Sequence, residues 1–190
     1  HPDWKLVIIG ESETEGNQKS QLLMLAGRLD LKLYDIAGGQ NPSMDYDIYL
    51  LGFNANPFKY MHHSRMLLFP SVFEGFPNTI LEAMQSGLPM VVADCQAGPR
   101  EILAPGSDLS TRAIRAERTD FGILCPPLPD ADIRTPVPSW LTEEWIHAID
   151  RVMHENNLRD QFIACGYERV RDFEKSAILT DWKKTIDGIY

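Results

Sequence analysis

Short apolar runs punctuated by Gly, Pro, Ser or Asp recur along the first two thirds of the chain: Leu6 to Gly10, Lys32 to Ile36, Ile48 to Gly52, Met66 to Ser71, Met90 to Asp94 and Gly122 to Cys125. Each has the length of a strand. Their Leu, Ile and Val follow one another without polar alternation, which predicts strands covered on both faces in a mostly parallel sheet. Between them the apolar spacing becomes helical. Glu15 to Leu29 brings Leu22, Leu23, Leu25, Ala26 and Leu29 towards one face, Asn56 to Ser64 is a shorter amphipathic stretch with Asn54 as its candidate cap, and Asn78 to Ser86 groups Ile80, Leu81, Ala83 and Met84. Strand alternating with helix predicts an α/β fold, a Rossmann-like doubly wound sheet with helices on both faces.

The pattern breaks between Ala104 and Ser139, where Pro126, Pro127, Pro129, Pro136 and Pro138 exclude a helix of any length. Helices then finish the chain. Thr142 is expected to cap the first, with Glu143 and Glu144 in its opening turn and Ile146, Ile149, Val152 and Met153 on one face. Leu158 to Phe173 and Ile178 to Ile189 follow. The expected organisation is a Rossmann-like domain over residues 1–140, with the helices of residues 141–190 packed on that same domain.

With 190 residues, 44% hydrophobic and 24% charged, the chain has an ordinary globular composition and needs no disulfide or structural metal. A net charge of −9 opposes attraction to nucleic acid or to an anionic bilayer. The three cysteines are widely spaced, without a C-x-x-C pair, which favours a reducing compartment and a cytoplasmic protein. No apolar run approaches the length of a membrane span. The opening His1, Pro2, Asp3, Trp4 lacks a methionine and suggests a piece of a longer protein.

Met66 to Leu103 carries the chemistry. The turn Glu74, Gly75, Phe76, Pro77 stands where a strand hands over to a helix, the edge at which ligands bind in such folds. Pro77 suits the first helical position, which leaves the N–H groups of Asn78 and Thr79 as donors at the positive end of the helix dipole. Gly75 lets a phosphate approach the backbone. Glu74 and Glu82 stand eight positions apart, so both can border one cleft and accept bonds from hydroxyls. Phosphates between two sugars satisfy all of these elements, and that ligand is a nucleotide-sugar.

The run E-G-F-P-N-T-I-L-E, followed by A-M-Q-S-G-L-P-M-V-V-A-D, resembles the E-x7-E region of retaining glycosyltransferases of the GT-B fold, in the large family four. K-L-V-I-I-G-E, Y-L-L-G-F, N-P-F-K-Y-M and G-P-R-E-I-L stand in the order of that family's carboxyl-terminal, donor-binding domain. The resemblance implies that Glu74 is the catalytic-site carboxylate on the donor sugar and that Glu82 holds the ribose diol. It further implies that Gly75, Phe76, Asn78 and Thr79 contact sugar and diphosphate, and that Gly52 and Phe53 lie near the base. It implies transfer of a hexose or N-acetylhexosamine from a UDP-sugar to a glycan or lipid-linked acceptor in polysaccharide assembly, without metal or other cofactor.

The family's diphosphate-binding Arg and Lys lie in a first strand–helix unit with no match here, and an amino-terminal GT-B domain completes the enzyme. Peripheral attachment to the inner face of the membrane would come through that domain. The unmatched strand would lie between Leu6–Gly10 and Met66–Ser71, so those two are expected either to pair directly or to take a segment from a second copy in a strand-swapped dimer. A non-catalytic nucleotide-sugar module and a sugar-nucleotide epimerase are the alternatives.

Other residues have plainer readings. Phe58 is expected in the core, and Phe53 serves either core or base. Arg100 either touches a phosphate from the turn after the fifth strand, or pairs with Glu101 or caps a helix. His62 and His63 are surface residues lacking a third ligand, and Asp130 to Asp132 and Asp45 to Asp47 imitate metal motifs without the strand context. Cys95 is an inert thiol.

Overall fold

The computed structural model describes residues 4–10, 18–130 and 135–188. All six expected strands are present: β1 (Leu6–Ile8), β2 (Leu33–Asp35), β3 (Ile48–Leu50), β4 (Leu67–Phe69), β5 (Met90–Ala93) and β7 (Ile123–Cys125). A short polar strand, β6 (Glu117–Arg118), precedes β7 and pairs with it antiparallel. The helices are α1 (Gln18–Arg28), α2 (Phe58–Met61), α3 (Asn78–Gln85), α4 (Pro99–Leu103), α5 (Ser139–His154), α6 (Asn156–Val170) and α7 (Lys175–Asp187). Residues 15–17 of the first expected helix lie outside the described residues.

The chain divides at Pro57 into two units. In the first, β3 lies between β1 and β2 and is parallel to both, with Ile48 opposite Leu6 on one side and Leu33 on the other. Ala26 of α1 covers Ile48 and Leu50, with Ile8, Leu22 and Leu33 packed around them. Lys19 on α1 reaches Asp35 at 2.6 Å.

The second unit holds the sheet β4–β5–β7–β6, whose first three strands are parallel. All four residues of β5 are buried, because alternate side chains enter two different cores. Met90 and Val92, with Leu124, face Ile80, Ala83 and Met84 of α3 and Ile102 and Leu103 of α4. Val91 and Ala93, with Ile123 and Cys125, face Leu141, Trp145, Ala148 and Val152 of α5 and Leu158 and Phe162 of α6. The terminal helices therefore belong to the same unit as this sheet, and helices cover both of its faces.

Several expectations are corrected. Leu6–Gly10 and Met66–Ser71 do not pair directly: β1 is an edge of the first sheet and β4 an edge of the second. Helix α5 begins at Ser139 rather than behind Thr142, whose hydroxyl donates to Pro138 O from inside the first turn. Phe58 is 40% exposed and contributes to none of the buried clusters.

Helix α3 ends by a specific device. Gly87 takes φ +65° after Ser86, and the N–H groups of Gly87 and Leu88 return to Met84 O and Ala83 O. A Cβ on Gly87 would come within 2.4 Å of Tyr167 Oη on α6, while Gly166 of α6 lies against Met84. The end of α3 is thus shaped to receive α6.

Candidate functional site

The Glu74 turn leaves the carboxyl end of β4, as the chain pattern predicts, and enters α3. Ser71 Oγ donates to Glu74 Oε1 at 2.6 Å, leaving Oε2 with no hydrogen-bond partner among the described residues. Glu82 stands in the second turn of α3, half-buried, and its carboxylate also has no partner among the described residues. Both carboxylates therefore retain accepting capacity. A buried polar atom without a partner would be costly, but partial exposure lets water fill that role until hydroxyls replace it.

The helix start differs in detail from the sequence expectation. Pro77 is the N-cap, not the first helical residue: its ψ of 85° is non-helical and it makes a tight turn in which Asn78 N–H donates to Phe76 O at 3.0 Å. Ile80 N–H donates to Pro77 O. Thr79 N–H remains without a partner among the described residues, so one of the two expected backbone donors is open and the other is engaged internally. Gly75 is exposed, and a Cβ there would meet nothing within 4 Å. The Phe76 ring packs on Phe173, with centroids 5.7 Å apart, which anchors the turn to the helical end of the unit.

Beside the turn runs the loop Cys95–Gly98. Phe73 and Gln96 form an isolated parallel bridge, and Gly98, at φ +83°, comes so close to the turn that a Cβ would lie 2.3 Å from Pro77 Cδ and 3.3 Å from Gly75 O. Cys95 is buried; burial first, and then the Glu74 carboxylate, push its thiol up from the ordinary range, which leaves it protonated and a poor nucleophile at neutral pH. A cleft of about 310 Å³ opens between this loop and the segment Leu109–Arg112.

Arg100 resolves differently from its expected pairing. Its guanidinium is buried and binds Asp94, with Nε at 2.9 Å and Nη2 at 2.5 Å from Oδ2, and Glu117, with Nη2 at 2.7 Å from Oε2. Asp94 is fully buried and also accepts Ala113 N–H at 2.6 Å. Burial works against the charge on Arg100, but the bonds to Glu117 and Asp94 outweigh it and hold the group protonated. Asp94 stands six residues before Arg100 and Glu117 seventeen after it, neither at a spacing that marks a pair in the sequence, whereas Glu101 is the adjacent residue.

Gly52 and Phe53 lie in the first unit. Gly52 follows β3 at φ +62° and accepts Gly10 N–H, and Phe53 is 71% exposed, which removes it from the core. His63 Nδ1 lies 2.8 Å from Lys59 O. Among the described residues no three of His, Cys, Asp and Glu gather as a metal group; Asp132 of the D-A-D run lies outside them. No helix among the described residues is long and apolar enough to cross a membrane.

Comparison with known proteins assigns this architecture. An uncharacterized glycosyltransferase of Methanocaldococcus jannaschii is 34% identical over 192 residues, covering 99% of this chain and 43% of the relative. The Campylobacter jejuni N-acetylgalactosamine-N,N'-diacetylbacillosaminyl-diphospho-undecaprenol 4-alpha-N-acetylgalactosaminyltransferase is 37% identical over 100 residues, 53% of this chain and 23% of that protein. The chain thus spans less than half the length of either relative. The fold is shared with Anabaena HepE, solved in complex with UDP, at a TM-score of 0.62 and 19% identity over 99% of this chain and 42% of that one. The family model for glycosyl transferases group 1 matches residues 1–127. With its E-x7-E run on a strand-to-helix turn and its layered α/β units, the chain belongs to the glycosyl transferases group 1 family, as a GT-B carboxyl-terminal domain.

Proposed function

We propose that this chain is the donor-binding half of a retaining glycosyltransferase that moves a hexose or N-acetylhexosamine from a UDP-sugar to a glycan or lipid-linked acceptor, in polysaccharide or glycan assembly. The observation that carries this reading is the pair of accepting carboxylates, Glu74 and Glu82, on either side of one strand-to-helix turn. In this reading Glu74, steadied by Ser71, accepts bonds from hydroxyls of the donor sugar. Glu82 accepts from the ribose diol. The diphosphate lies at the turn, where Gly75 admits it and Thr79 N–H and the α3 dipole favour its charge. Gly75, Phe76 and Asn78 form the wall of that site.

The UDP bound to HepE and the lipid-linked acceptor named for the Campylobacter relative support this choice of donor and acceptor class. Arg100 is committed to two carboxylates of this chain, so the cations that neutralise the leaving diphosphate come from elsewhere in the protein. The remaining length, for which the longer relatives provide room, carries the acceptor domain. We place the protein in the cytoplasm, with contact to the inner membrane face through that other domain, and we assign it no metal or cofactor.

Calorimetric titration with UDP and with UDP-hexoses and their N-acetylated forms tests the reading. Glu82→Ala should weaken UDP and UDP-sugar alike, whereas Glu74→Ala should weaken the UDP-sugar and leave UDP within about twofold, as a group that touches only the sugar must. EDTA should change neither affinity. Equal loss of UDP affinity in both variants overturns the division of roles, and loss on chelation overturns the metal-free assignment.

A further inference from the structure

The Asp94–Arg100 pair stands at the two ends of the loop that touches the Glu74 turn. Asp94 closes β5 and Arg100 is the second residue of α4, so the ion pair ties together the two ends of the segment Cys95–Pro99. Glu117, on the edge strand β6, holds the same guanidinium from the other side, and Ala113 N–H fixes Asp94. The loop so fastened meets the turn at two points: the Phe73–Gln96 bridge and the contact of Gly98 with Pro77 and Gly75.

A buried ion pair is a poor source of net stability, since desolvation offsets most of its attraction and an apolar pair of similar volume often does as well. What it supplies is direction. Guanidinium and carboxylate meet through several bonds of fixed geometry, which a pair of leucines would not enforce.

We infer that Asp94 and Arg100, with Glu117, are positioning residues for the Glu74 turn, acting through the Gly98–Pro77 contact on the sugar-reading end of the donor site. The inference rests on the donor-site reading above and deepens it. Neither Asp94 nor Arg100 is assigned a contact with the ligand. Their effect is confined to where Glu74 stands, so it falls on the sugar and not on the ribose held by Glu82.

The test is titration of the chain, followed by NMR, with uridine monophosphate and with the UDP-sugar that binds it most tightly. Arg100→Lys keeps the charge but not the fork that spans Asp94 and Glu117. Gly98→Ala removes no member of the ion pair; its Cβ, strained at φ +83°, presses on Pro77 Cδ. Each should weaken the UDP-sugar by about tenfold, the worth of one hydrogen bond to a charged group, while uridine monophosphate stays within about twofold. The double variant should be no worse than the stronger single one, because both act on one contact.

If the two ligands weaken together in proportion to a fallen melting temperature, or neither changes, the network is merely structural and the inference fails. Should Arg100→Lys not fold, Glu117→Gln replaces it, since that side chain is 43% exposed and its loss leaves Asp94 paired. A wild-type chain that binds neither ligand overturns the donor-site reading itself, and this inference with it.

Discussion

Ser71 and Glu74 are joined side chain to side chain across 2.6 Å, within a single turn that follows β4. The hydroxyl donates to one carboxylate oxygen and leaves the other without a hydrogen-bond partner among the described residues. Ser71→Ala should therefore release the Glu74 carboxylate from its orientation without removing its charge. About 1.5 kcal/mol is a reasonable net value for a bond to a charged group, so UDP-sugar affinity should fall about tenfold with UDP affinity nearly constant. A titration in which Ser71→Ala matches wild type on both ligands would remove Ser71 from the site.

Cys125 lies at the end of β7, fully buried, and its thiol is pushed up to about 12 by burial first and the Glu144 carboxylate second. The unfolded thiol titrates near 9, so between these values the unfolded state loses a proton that the folded state keeps. Stability is full below the unfolded value and falls as pH rises towards the folded one, with a slope of about 1.4 kcal/mol per pH unit. Urea unfolding at pH 8 and pH 10 should show this decline, and Cys125→Ala should flatten it while lowering stability at pH 7. An equal decline in the variant would place the titrating group elsewhere, Cys95 being the next candidate.

Phe162 of α6 is buried among the residues that cover one face of β5, whereas Trp182 of α7 is 63% exposed. Phe162→Ala should cost about 3–5 kcal/mol by transfer and cavity together. Trp182→Ala should stay within about 0.5 kcal/mol. Denaturant midpoints check both, and a large loss at Trp182 would mean that α7 packs against something in solution.

The first sheet leaves β1 as an edge, with Leu6 41% and Val7 39% exposed, and the second leaves β4 as an edge. Bare parallel edges seek partners. The isolated chain of 21.6 kDa is expected to form a strand-swapped dimer in sedimentation at micromolar concentration. Slow amide exchange along β1 and β4 should accompany it. A monomer at all concentrations, with both strands exchanging rapidly, would contradict this.

Most of the strand framework was legible because Met90–Ala93 and its counterparts are continuous apolar runs, and a strand buried on two faces has no other way to be written. Strand β6 was not, since Glu117 and Arg118 enter the sheet through backbone bonds alone and carry no apolar signal. Helix α4 is shorter than the window in which a helical period can be seen. The Glu74 turn was legible as a motif. The side chains behind it were not: Asp94, Arg100 and Glu117 come from three elements, and only the folded chain brings them together.

The fit of Tyr167 over Gly87, and of Gly166 against Met84, has a consequence for how the chain is made. Both members of the later pair leave the ribosome long after α3 has been synthesised. Until then the helix that carries Glu82 rests on β5 and α4, and the surface that closes over its far end arrives only with the penultimate long helix. A nascent chain halted in the proline-rich stretch would display the complete E-x7-E run and still lack the α6 contacts at the end of the helix that carries its second carboxylate.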